Sequence, residues 1–128
     1  MVYYFSKTIE GDVQGVASQV RAALKKYGFG VISEIDIQKT FKEKLAEDFR
    51  PYLILGACNP HFAYQALQSE DKIGTMLPCN IIIQQVDEGS VEVAAVDPAA
   101  SMSAVENQDL GNIAHNVRAR LRELVEEL

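Results

Sequence analysis

The sequence predicts an α+β protein: a two-layer sandwich in which about five short strands, in a mainly antiparallel or mixed sheet, pack against helices in the order βαβαβαββα. Three observations carry this reading. Short stretches rich in β-branched residues recur along the chain, some alternating and some continuously apolar. Segments with apolar residues at helical spacing fall between most of them. The last two strands are joined by the residues DEGS, a hairpin connection that argues against a purely parallel, doubly wound sheet.

The elements follow in order. Val2–Ile9 reads as a first strand, ended by Gly11. Asp12 caps a helix whose apolar positions Val13, Val16, Ala17, Val20, Leu24 and Tyr27 share one face, and Gly28 stops it. Val31–Ile37 alternates, placing Val31, Ser33, Ile35 and Ile37 on one side of a half-exposed strand. Thr40 to Glu43 spells a capping box for a short helix carrying Phe41 and Leu45, closed before Pro51. Tyr52–Ala57 is continuously apolar and therefore central in the sheet. Asn59 as N-cap with Pro60 at the first helical position starts a helix running to about Ser69. Asn80–Val86 and Val91–Asp97 form the hairpin. Asp109–Leu128 gathers Leu110, Ile113, Ala114, Val117, Leu121, Leu124, Val125 and Leu128 on one face of a long helix.

At 128 residues the chain is expected to form a single domain, 1–128, able to bury about two-thirds of its unfolded surface. The start MVYYFSKTIEGD lacks the features of a signal peptide, and no apolar run reaches the roughly 18 residues of a membrane span, so a cytoplasmic location is expected. There Cys58 and Cys79 are expected as reduced thiols rather than a structural disulfide. Net charge is −6 and unevenly spread: residues 1–64 hold 8 basic and 7 acidic groups, residues 65–128 hold 4 and 11. Lys72 is the sole cation between Glu70 and Asp109. No basic stripe with interleaved aromatics offsets this, which excludes nucleic acid as a partner class.

The only two cysteines stand in LGACNP (residues 55–60) and LPCN (residues 77–80). With Val86 opposite Val91, antiparallel pairing places Asn80 opposite Asp97. If the strand ending at Ala57 also runs antiparallel beside the one starting at Asn80, then Cys58, Asn59, Cys79, Asn80 and Asp97 gather at one end of the sheet. Such a cluster has two readings. In one, a helix N-terminus beside Cys58 favours thiolate and its free N–H groups bind an anion, opposed by Asp97. In the other, the cysteines are small buried hydrophobes, the asparagines are caps and Asp-Pro ends a strand.

Cys58, His61, Cys79 and His115 are nominally a zinc set. Helical phase argues against it: His61 lies about 160° from Ala63, and His115 about 140° from Leu110, so both face solvent. No metal and no cofactor is expected. GDVQG lacks the Lys-Ser/Thr ending of a phosphate loop, and no Gly-x-Ser-x-Gly, His-Glu-x-x-His or Cys-x-x-Cys motif occurs.

FRPYLILGACNPHFAYQAL, IGTMLPCNIII and VAAVDP together resemble domain-of-unknown-function family 302, from about Thr40 to the C-terminus, with a weaker likeness before it. The family pattern maps onto Cys58, Asn59, Pro60, Pro78, Cys79, Asn80, Asp97 and Pro98; His61 lies outside it. The resemblance implies a small α+β homodimer without an assigned role or an established catalytic residue. The leading expectation is a non-enzymatic homodimeric binding or interaction domain, with a small-molecule pocket at the Cys58/Cys79 end of the sheet. The rivals are a thiol-dependent redox enzyme or sensor using Cys58 and Cys79, and a structural subunit of a larger assembly.

Overall fold

The computed structural model describes residues 2–128. Five strands, β1 (Tyr4–Glu10), β2 (Gly30–Asp36), β3 (Tyr52–Cys58), β4 (Cys79–Asp87) and β5 (Ser90–Val96), form one antiparallel sheet in the order β1-β5-β4-β3-β2. Five helices accompany it: α1 (Val13–Lys26), α2 (Ile37–Leu45), α3 (Pro60–Ser69), α4 (Pro98–Ser101) and α5 (Gln108–Glu127). The fold is α+β, as the sequence predicts, and β3 is an internal strand with β4 antiparallel beside it. The 3-10 turn Asp71–Met76 and the four-residue α4 are additions that periodicity cannot find, because neither is long enough to show a repeat.

The core forms where the apolar stripes of α1 and α5 meet one face of the sheet. Val20 and Leu24 from α1, Leu121 and Leu124 from α5, and Leu55, Ile81, Ile83, Val91 and Val93 from the strands are almost wholly buried. Asp12 caps α1, its carboxylate accepting from the Gly15 N–H at 2.7 Å. Lys7, on the helix side of β1, donates to the carbonyls of Glu126 and Leu128 at the end of α5, satisfying groups that the helix itself leaves open.

Two local expectations are corrected. The cap of α2 is Asp36, which accepts from the Lys39 N–H at 3.0 Å. The helix therefore begins before Thr40, whose hydroxyl bonds back to the Asp36 carbonyl at 2.8 Å instead of forming a capping box. In β2 a bulge lies between Val31 and Ser33. Val31 pairs with Ala57 on the helix side, whereas Ser33 and Ile35 pair with Gly56 and Ile54 on the other, so the four alternating residues do not share one face.

The hairpin register also differs from the expected one. Asp87 pairs with Ser90 across a Glu88–Gly89 turn, but Gln85, not Val86, faces Val91, and the same register continues to Ile81 facing Ala95. Val86 is the extra residue of a bulge, and the Gln85 side chain donates to the carbonyls of Asp87 (2.7 Å) and Ser90 (3.1 Å) there. Continued one residue, this register sets Asn80 across from Val96 rather than Asp97.

Candidate functional site

β3 and β4 pair so that Ala57 faces Cys79, which brings Cys58 to the same end of the sheet as Cys79. The chain leaves β3 through Asn59, the N-cap of α3, whose side-chain oxygen accepts from the Phe62 N–H at 3.4 Å. Pro60 follows at the start of the helix, where a missing N–H costs nothing. Gly28, after α1, has φ +84° and lies so close that an added Cβ would come within 3.0 Å of the Asn59 amide nitrogen. Only glycine satisfies both the left-handed backbone and that approach. Arg120 of α5 completes the joint, donating to the Tyr27 carbonyl at 3.0 Å with its guanidinium 5.1 Å from the centre of the Phe62 ring.

Between this sheet end, α3 and α5 lies a half-open cavity of about 280 Å³. Cys58, Asn59 and Cys79 contribute to its lining from the sheet end, and Phe62, Ala63 and Ala66 from α3. Leu110, Ile113, Ala114 and Val117 form the α5 wall, and Pro98 and Met102 close the side next to α4. No lysine or arginine lines it. At the start of α3 the Phe62 N–H is taken by the Asn59 side chain and the Ala63 N–H by the Asn59 carbonyl, so the lining suits apolar matter rather than an anion.

The two cysteines are free thiols, Cys58 half-buried and Cys79 buried. Burial pushes the Cys79 thiol up to about 11, and Cys58 beside it adds to that shift. Cys79 thus holds its proton through the neutral range, the opposite of the activation that thiol exchange needs.

The other expected site residues separate from this group. Asp97 is buried, but its carboxylate caps α4, accepting from Ala99 N–H (3.0 Å) and Ala100 N–H (3.4 Å), and its second oxygen accepts from Arg118 Nε at 3.0 Å. Arg118 in turn lies 5.2 Å from the Phe5 ring centre. Asp97 therefore ties β5, α4 and α5 together. Asn80 follows Cys79 in a strand and so points to the opposite face of the sheet, beside Ile82, Gln84 and Tyr4. His61 and His115 are exposed, as their helical phase indicates. The cavity walls from α5 and Met102 escape motif reading. The signal that holds them is the apolar stripe of the long helix, in which a residue facing a cavity looks the same as one facing a strand.

Geometry defines an α+β protein with an apolar cavity at one pole of an antiparallel sheet. The family model described as domain of unknown function DUF302 matches residues 5–128, and the chain belongs to that family. The match includes β1 and α1, beyond the stretch whose motifs resemble the family most. The structure is similar to the crystal structure of an uncharacterized conserved DUF302 protein from Bacillus stearothermophilus, with a TM-score of 0.89 and 24% identity over 98% of both chains. No curated protein matches the chain. The family has no assigned function.

Proposed function

We propose that the protein is a small cytoplasmic homodimeric binding domain whose cavity beside Cys58 and Cys79 takes a compact, uncharged, largely apolar molecule. The observation that carries the reading is the 280 Å³ cavity, lined by apolar side chains and without a cationic group. An anion there would lose its hydration without gaining a partner, whereas an apolar ligand gains about 25 cal/mol for each Å² withdrawn from water. Cys79 supplies a polarizable contact rather than a nucleophile, since burial raises its thiol, and this favours binding over the redox alternative. No helix among the described residues is long and apolar enough to cross a membrane.

The test is titration with the neutral fluorophore N-phenyl-1-naphthylamine. Binding is expected to be saturable in the natural protein and abolished in Ala63→Phe, which fills the cavity from a half-buried position on α3. Absence of saturable binding to the natural protein, or equal binding to a folded Ala63→Phe variant, defeats the pocket reading.

A further inference from the structure

We infer that the sheet face turned away from α1 and α5 is the contact between two copies of this chain, packed face to face about a two-fold axis running close to the direction of β4. The inference rests on the homodimeric reading above and assigns it a surface. Three features of the face support it.

Its middle row runs across all five strands as Ser6, Ala94, Ile82, Ile54 and Ile35. The next row runs Tyr4, Val96, Asn80, Gly56 and Ser33, and Ile35 and Tyr4 are 46% and 40% exposed. Large apolar residues left in the open on the face of a sheet mark a surface that another body covers.

The occupant is argued from symmetry. β4 is the middle strand, so an axis along it exchanges β3 with β5 and β2 with β1 while keeping each row at its own height. Ile54 stands over the partner's Ala94, a large side chain over a small one, and Ile82 meets the partner's Ile82 on the axis.

Charge obeys the same operation. A chain of net charge −6 repels its own copy at most surfaces. At this face the charge comes as a polar track, in which Arg50 Nε donates to Gln84 Oε1 (2.8 Å) and Gln84 Nε2 donates to Glu92 Oε1 (2.8 Å). Arg50 lies at the β3 side and Glu92 on β5, so the two-fold sets each Arg50 toward the partner's Glu92, an isologous and self-complementary exchange. Strands about 4.8 Å apart and about seven residues long give a face on the order of 500 Å² per copy, hence about 1,000 Å² in the pair, the lower bound for a specific interface. Aligned sheet packing is a standard solution for two such faces.

The experiment is sedimentation equilibrium of the natural chain, Ile82→Glu and Ile82→Thr, with circular dichroism melting of each. The natural chain is expected to be dimeric at micromolar concentration. Ile82→Glu, which opposes two carboxylates on the axis, is expected to weaken association by at least about 100-fold, and Ile82→Thr, which keeps the β-branched shape, by about tenfold. A monomeric natural chain overturns the inference together with the homodimeric reading, leaving a different protein as the occupant of the face. A dimer whose association constant is unchanged in folded Ile82→Glu or Ile82→Thr overturns the assignment of the face alone.

Discussion

The helix layer of this protein has two regions built to different densities. Over the middle of the sheet, branched side chains from α1 and α5 interlock with Leu55, Ile81, Ile83, Val91 and Val93 and are buried almost completely. Beyond Cys79, a second and smaller group of Ala66, Ile73, Met102, Leu110 and Ala114 takes over. There the sheet has ended, two facing helices present alanines, and a four-residue helix and a 3-10 turn fill the perimeter. Helices held apart by the strands below them cannot close onto small side chains where the strands stop. The cavity follows from that change of support, and the same α5 stripe makes a core at one end and a cavity wall at the other.

Truncation should break this contrast most strongly at the dense end. Ile83→Ala, at a fully buried position of β4, is expected to destabilise the protein by about 2–5 kcal/mol, measured by urea unfolding, because close-packed neighbours cannot relax into the space. A loss below about 1 kcal/mol would mean that the sheet core is as loosely filled as the cavity end.

The next largest effect is expected at the seam between the regions. Asp97→Ala removes the cap of α4 and the partner of Arg118 together, and should cost about 2–3 kcal/mol. Asp97→Asn separates the two roles, since the amide retains the cap but not the charge. Wild-type stability in both variants would remove Asp97 from its structural role and reopen a ligand-binding one.

The seam also shows how far the sequence can be read. Asn59 and Pro60 are legible because a cap and a helix start are local chemistry, and α3 begins where they place it and runs to Ser69. The meeting of Cys58 with Cys79 is legible because β3 and β4 pair as neighbours. The partner of Asn80 is not, because one extra residue at Val86 displaces the whole ladder, and a bulge held by the Gln85 side chain has no periodic signature. The result is that Asn80 and Asp97 are not partners: Asn80 lies on the open sheet face because it follows Cys79 in the strand, and Asp97 is buried as the cap of α4 and the partner of Arg118. The bulge in β2 redirects Ser33 and Ile35 by the same mechanism. Strand identity is written in composition, but which face a residue serves depends on single-residue insertions that only the paired strand reveals.

The smallest effect at neutral pH concerns Cys79, and it sharpens the contrast by asking whether the cavity end is dry. Burial there raises the thiol from an ordinary 9.0 to about 11. A group whose folded value lies above its unfolded one binds its proton more tightly in the folded state, so its contribution to stability is complete below the unfolded value and is lost as pH rises toward the folded one. Cys79→Ala should therefore leave the pH dependence of unfolding unchanged up to about pH 8.5 and flatten the alkaline decline between there and about 11. Thiolate absorbance gives a direct check, with one thiol expected to ionise only near 11 in the natural protein and that step absent from Cys79→Ala. If both thiols instead titrate at or below the usual cysteine value, water reaches Cys79, and the apolar pocket gives way to the thiol-exchange alternative.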